Sequence, residues 1–238
     1  MLNNVLADYI NKICTIYMDD ILIFSTPLSE HFKSLRKIFG RLNAYNLNVQ
    51  IDKCTFLSKE TNFLGHIITN RGIRPNPEKI EIIQNLQLPG NVKKIKSFLG
   101  LTGYYRKFIK NYSSVAGPMI KYLKKDSKVD INDRQYIGVF EKLRSILVNP
   151  PLLCCPNFDK KFVLTTDVSN LAIGTVLSQE GRPISYASRT LNGHGRNYST
   201  LEKELLAIVW AVRYYRPYLC GRKFTVRTDH QPLRWLYS

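Results

Sequence analysis

Thr15-Ile16-Tyr17-Met18-Asp19-Asp20-Ile21-Leu22-Ile23-Phe24 is the stretch on which the reading of this 238-residue chain turns. Two adjacent carboxylates interrupt an apolar, β-branched run, a pattern that predicts strand, turn, strand. The acids then sit at the tip of a hairpin whose arms are anchored in a core. Crowding two anions there is unfavourable unless a cation or hydrogen bonds compensate. A divalent metal is one compensation, because Asp oxygens suit Mg²⁺. An ordinary solvated turn is the other reading, since Asp is common in turns. The pair alone leaves both open.

Charge narrows the choice of partner. The formal net charge is +17, from 35 Lys and Arg against 18 Asp and Glu. That balance points to a polyanion, nucleic acid before a membrane, because no apolar segment reaches spanning length. The opening Met1-Leu2-Asn3-Asn4-Val5 has neither the basic start nor the apolar core of a signal peptide. Cys14, Cys54, Cys154, Cys155 and Cys220 form no C-x-x-C pair and are odd in number, which argues for reduced, intracellular thiols. The charge is uneven: residues 1–90 carry net +2, residues 91–160 net +9 and residues 161–238 net +6.

After the acidic hairpin, Ser29 is a candidate cap for a helix to about residue 45, with Phe32, Leu35, Ile38, Phe39 and Leu42 as its stripe. Strand-like pieces follow at 48–51 and 61–69, and Gly72 marks a turn. Asn76 and Pro77 predict the start of another helix, with Ile80, Ile83 and Leu86 inward and Pro89-Gly90 as its break. A basic helix begins at Asn91, with Val92, Ile95, Phe98 and Leu99 inward and Lys93, Lys94 and Lys96 off the stripe. Gly100 and Gly103 are expected to bend or end it. Tyr104, Tyr105, Arg106, Lys107 and Lys110 extend a surface of aromatics among cations, which suits a phosphate backbone with base or sugar stacking. Between 91 and 128 there are ten Lys or Arg and one acid, Asp126. A solvated helix face remains the plainer account of such a run. Residues 133–148 predict a further helix, with Phe140, Leu143, Ile146 and Leu147 inward, ended by Asn149-Pro150-Pro151. A boundary falls near Pro156.

The last third changes character. Residues 161–167 read as a strand ending in Asp167, 172–179 and 184–188 as two more, and 223–229 as a fourth ending in Asp229. Ser199 and Glu202 form a capping box for a helix that stops before Pro217. A last helix is expected to start at Pro232. Glu204 shares a face with Ile208 and Ala211, so it turns toward the sheet, and an acid in that place needs a reason. A divalent-metal site of Asp167, Glu204 and Asp229 supplies one, because two metals about 4 Å apart activate a water and hold a phosphodiester's leaving oxygen. The plainer alternative is that the Asp residues end strands and Glu204 lies at the surface.

Taken together the motifs resemble the Pol polyproteins of gypsy-type long-terminal-repeat retrotransposons, over essentially the whole chain. Tyr17-Met18-Asp19-Asp20 is similar to the reverse-transcriptase hairpin and Phe63-Leu64-Gly65-His66 to the strand motif that grips the primer end. Phe98-Leu99-Gly100-Leu101-Thr102-Gly103-Tyr104-Tyr105-Arg106 resembles the thumb and connection segment. Thr166-Asp167-Val168-Ser169, Tyr186-Ala187-Ser188-Arg189, Tyr198-Ser199-Thr200 with Glu202-Lys203-Glu204, and Thr228-Asp229-His230 resemble an RNase H domain. The resemblance implies an α+β architecture: a partial reverse-transcriptase palm over 1–90, a basic thumb and connection over 91–158, and an incomplete RNase H-like mixed domain over 159–238.

It further implies RNA-directed DNA polymerisation and RNA–DNA hybrid cleavage with Mg²⁺, or Mn²⁺, as cofactor. Asp19 and Asp20 would serve the first activity, and Asp167, Glu204 and Asp229 the second. Phe63, Leu64, Gly65, His66, Lys93, Lys94, Lys96, Tyr105, Arg106, Lys107 and Lys110 would contact nucleic acid. Its implied partners are primer-template, hybrid and the rest of the polyprotein, with no membrane, in the cytoplasm, a virus-like particle or the nucleus. In the family, fingers and early palm precede residue 1, and a last strand with a fourth acidic ligand follows residue 238. The isolated chain is therefore expected to lack polymerase activity. Val168, where the family usually has Ala, and the pair Gly193 and Gly195 are smaller departures. A non-catalytic nucleic-acid-binding protein descended from such an element is the alternative.

Overall fold

The computed structural model describes residues 1–124 and 127–228, and the chain divides into two compact units, Met1–Ser58 and Lys59–Ser238. Asp229 and the helix expected from Pro232 lie outside the described residues.

The first unit contains α1 (Leu2–Val5), the antiparallel pair β1 (Cys14–Tyr17) and β2 (Asp20–Ile23), and α2 (Leu28–Ala44). Tyr17 pairs with Asp20, which leaves Met18 and Asp19 as a two-residue turn, and Met18 takes φ 53°. Such tight hairpin turns need positive φ to match the twist of their strands. The alternating apolar arms, Ile16, Ile21 and Ile23 among them, pack on a core of Val5, Leu6, Cys14, Ile38 and Leu42. The expected cap of α2 is corrected: Pro27 occupies that position, and its carbonyl accepts from the N–H groups of Glu30 and His31. The inward line of α2 is Ser34, Ile38 and Leu42, and Phe32 stands 48% exposed. Phe32 lies six residues from Ile38, about a third of a turn off that line. No strand forms at 48–51; Ile51–Lys53 is a single 3₁₀ turn.

The second unit opens with a meander, β3 (Glu60–Phe63), β4 (His66–Thr69) and β5 (Gly72–Pro75). The single strand expected at 61–69 is thus two strands around a Leu64-Gly65 turn, with φ 50° and 64°. α3 (Pro77–Gln84) and α4 (Val92–Tyr104) start as their sequences predict, with Asn76 and Asn91 accepting from the N–H groups of Glu78 and Lys94. Neither Gly100 nor Gly103 breaks α4, because Ile95, Phe98 and Thr102 bury one continuous face across them.

A helix that periodicity does not announce follows: α5 (Tyr112–Ile120), which contains Gly117-Pro118 and buries Ala116 and Met119. α6 (Arg134–Val148) is capped by Asp133 and turns Tyr136, Val139, Phe140, Leu143 and Leu147 inward. These helices share one core with Ile83, Tyr105, Phe108 and Leu153.

The main sheet has the order β8-β7-β6-β9, from β6 (Phe162–Val168), β7 (Ala172–Gln179), β8 (Arg182–Thr190) and β9 (Phe224–Arg227). β6, β7 and β8 are antiparallel neighbours, whereas β6 and β9 run parallel. A parallel pair needs a crossover, here α7 (Gly193–Arg196), α8 (Thr200–Tyr214) and α9 (Arg216–Leu219). The Ser199–Glu202 capping box starts α8. Pro217 does more than end it, sitting in the first turn of α9. β8 is longer than the 184–188 its apolar run suggests, because pairing with β7 continues through Arg182 and Thr190. Phe162 and Leu164 on β6 meet Ala211 and Tyr215 beneath the sheet.

Candidate active site and nucleic-acid interface

Asp19 and Asp20 are both exposed, the first in the hairpin turn and the second opening β2. Hydrophobic arms hold them, so the turn presents two carboxylates with little freedom to retract.

The C-terminal end of the main sheet gathers a second set. Along β6, Phe162, Leu164 and Thr166 point into the core, and alternation turns Asp167 outward, where it is exposed. Glu204 is 5% exposed on the inner face of α8, in line with Ile208 and Ala211 as its spacing predicts. The Thr228 hydroxyl lies 3.4 Å from Glu204 Oε2 and donates to it. Asp167 and Thr228 line one cleft of about 340 Å³, together with Lys110, Asn111, Thr175 and Arg227. Glu202 is occupied at the helix start, accepting from Ser199 N at 2.8 Å.

Asn111, Gly174 and Arg227 were not singled out by sequence. Of the three only Asn111 carries a local signal, as a helix-capping residue type ahead of α5. Its amide Nδ2 donates to Asp167 Oδ2 at 3.0 Å.

The Leu64-Gly65 turn is held from α4 and the residue after it. Tyr104 Oη donates to the Leu64 carbonyl at 2.7 Å, and Tyr105 Oη to that of Gly65 at 2.9 Å. Tyr105 is 1% exposed, so its ring packs in the core and its hydroxyl braces the turn. Burial, with Tyr104 close by, pushes its pKa up to about 12. His66 donates through Nδ1 to the Leu64 carbonyl and rests against Tyr104, Tyr105 and Phe108, with ring centroids 5.5, 5.5 and 5.8 Å away. Burial, then the Lys107 cation, holds its pKa below the ordinary 6.5. Phe63, Leu64 and Gly65 are half-buried.

The cations divide by exposure. Lys93, Lys94, Lys96, Arg106 and Lys110 are exposed, whereas Lys107 is half-buried over the Phe108 ring and burial lowers its pKa.

Among the described residues no three His, Cys, Asp or Glu side chains gather into a metal centre. The donor chemistry nonetheless fits a divalent ion at Asp19 and Asp20. Mg²⁺ takes one or two protein carboxylates and completes its shell with water and substrate phosphates, and two exposed neighbouring carboxylates meet that need. Asp167 and Glu204 are hard-oxygen donors of the same kind at one end of one sheet.

Residues 1–68 match the reverse transcriptase (RNA-dependent DNA polymerase) family, and residues 157–238 match the RNase H-like domain found in reverse transcriptase. The chain thus carries, in order, a segment similar to reverse transcriptases and one similar to the RNase H-like domain found in them, and it resembles retrotransposon Pol polyproteins. It is 56% identical over 237 residues to the retrovirus-related Pol polyprotein from transposon 297 of Drosophila melanogaster, covering 100% of this chain and 22% of that protein. To those from transposons opus and gypsy of the same fly it is 43% and 41% identical, covering 98% of this chain in each case and 25% and 24% of theirs. The chain thus spans about a quarter or less of these relatives. A foamy viral protease–reverse transcriptase solved with double-stranded DNA superposes with a TM-score of 0.84 at 25% identity, over 99% of this chain and 42% of that one. A second, solved with an RNA/DNA hybrid, gives 0.82 at 24% identity over 98% and 32%, which shows the shared fold.

Proposed function

We propose that the chain works as part of a retrotransposon RNA-directed DNA polymerase with RNA–DNA hybrid ribonuclease activity, acting on primer-template and hybrid beside the rest of its polyprotein. The observation that carries this reading is one chain matching both families in order, with exposed acids at Asp19, Asp20 and Asp167. Residues 1–90 would serve as a palm segment, 91–158 as thumb and connection, and 159–238 as the RNase H-like part.

Mg²⁺, or Mn²⁺ in its place, would be held by Asp19 and Asp20 for nucleotide addition and by Asp167, Glu204 and Asp229 for hydrolysis. When bound it lowers the pKa of water and neutralises charge on the transferring phosphoryl group. The chain's residues do the rest. Exposed Lys93, Lys94, Lys96, Arg106 and Lys110 neutralise phosphates and fix register. The braced turn at Leu64-Gly65 offers a rigid edge for the primer end. Lys110 and Arg227 flank the Asp167 cleft with positive charge that draws a phosphodiester in.

A second reading rests on the net +9 of residues 91–160: a binder of nucleic acid without turnover. Incubating the chain with a hybrid labelled on each strand, with Mg²⁺ and with Mn²⁺, separates the two. Cleavage confined to the RNA strand supports the ribonuclease. Salt-sensitive binding without cleavage supports the second reading.

A further inference from the structure

We infer that Asn111 is the positioning residue for the Asp167 carboxylate, coupling the basic helical segment to the RNase H-like site. The inference rests on the reading of Asp167 as a metal ligand.

Asn111 stands before α5 in the left-handed region, φ 55° and ψ 36°, and its side chain makes no capping hydrogen bond. The amide points instead at the sheet, where Nδ2 donates to Asp167 Oδ2. Its other end, Oδ1, occupies the space over Gly174, the cross-strand partner of Asp167. A Cβ at position 174 would overlap Oδ1, so glycine is what lets the amide lie flat on β7. Two residues on, Ser113 N donates to Ser188 Oγ at 2.8 Å, and that hydroxyl donates to Ser113 Oγ at 3.1 Å. The start of α5 is therefore fastened to β6, β7 and β8 together, and the amide cannot turn freely.

An amide in front of a carboxylate could act as a lid or as a brace. Exposure decides between them. Asp167 stays exposed with the bond in place, so Asn111 holds one oxygen and leaves the carboxylate open to the cleft. Hydrogen bonds of this kind orient metal-binding carboxylates, and their loss costs about 10–100-fold in metal affinity.

The test is Mn²⁺ binding to the 238-residue chain, followed by electron paramagnetic resonance in a background of Asp19→Asn with Asp20→Asn, which silences the hairpin. Asn111→Gly deletes the amide while glycine keeps the left-handed backbone free of strain. Gly174→Ala evicts the amide by a different route. Both variants are expected to weaken Mn²⁺ binding about tenfold or more, Asn111→Gly at little change in melting temperature, and the double variant to bind no more weakly than either single one.

Asp167→Asn separates the possible failures. If that substitution leaves Mn²⁺ binding unchanged, the metal reading of Asp167 falls and the inference falls with it. If it weakens binding while Asn111→Gly does not, only the positioning role is overturned. Tighter binding in Asn111→Gly would make the amide a lid and also overturn it.

Discussion

The hydroxyl of Tyr105 reaches across forty positions of sequence to the carbonyl of Gly65, at 2.9 Å. The turn it braces carries Leu64 in a conformation that side chains rarely adopt, φ 50°. The Gly65 carbonyl also accepts from Asn76 N–H at 3.0 Å, so removing the hydroxyl costs one hydrogen bond and orphans no acceptor, a loss of about 1 kcal/mol. Tyr105→Phe is expected to lower the melting temperature by about 2–4 °C. Tyr104, 53% exposed, lets water replace its bond, so Tyr104→Phe should cost less. Calorimetry on the two variants checks the order; equal costs would mean the Tyr105 bond is not the buried brace described.

His66 gives the same turn a pH dependence. Its pKa is depressed, so the unfolded chain takes up the proton first as pH falls. The stabilisation is fully present above about pH 6.5 and is lost as pH drops through the folded value. An NMR titration should place the His66 midpoint below 6.5. The urea midpoint should fall with acid in the parent chain and fall less in His66→Phe. A His66 midpoint above 6.5 contradicts the burial assigned to it.

Gly72 closes the β4–β5 turn at φ 146°, against the backbone of Leu153. Ile73 and Leu153 exchange N–H···O bonds there, at 2.7 and 3.1 Å. A Cβ at position 72 would overlap the Leu153 carbonyl, so Gly72→Ala combines backbone strain with loss of this bridge. The expected destabilisation is about 2–3 kcal/mol, read as a shift in the denaturant midpoint at unchanged slope. A neutral substitution would show that the two segments separate at no cost.

Much of this architecture is legible locally. Asn76, Asn91, Asp133 and the Ser199–Glu202 box mark helix starts because a cap is a contact among near neighbours in sequence. The strand ending at Asp167 and the inward face of Glu204 follow from periodicities of two and 3.6. What sequence hides is what distant residues decide. Gly and Pro are poor helix formers, yet α5 runs through Gly117-Pro118 because Ala116 and Met119 are buried in the shared core. Leu64 does not advertise a turn; tyrosines forty positions away hold it there. Tyr105 reads as an exposed stacking residue among cations until its ring is seen inside the core. Asn111 reads locally as a helix cap and Gly174 as an ordinary strand residue, and the contact between them is visible only in the fold.

The basic segment makes a quantitative prediction for binding. Reversing Lys93, Lys94 and Lys96 to Glu removes three exposed cations from α4. Each phosphate contact contributes about 0.9 to the slope of log affinity against log salt. Hybrid affinity should fall, and the salt slope should shrink by up to about three. An unchanged slope would place the nucleic acid elsewhere on the chain.

The Asp167 carboxylate near the end of β6 is proposed to serve hydrolysis of RNA in a hybrid. Its most direct measurement is RNA-strand cleavage by the chain and by Asp167→Asn in Mg²⁺ and Mn²⁺, at matched hybrid binding and melting temperature. Cleavage by the parent and none above background by the variant is the expected result. Equal cleavage by the variant, or binding without cleavage by the parent, would contradict it.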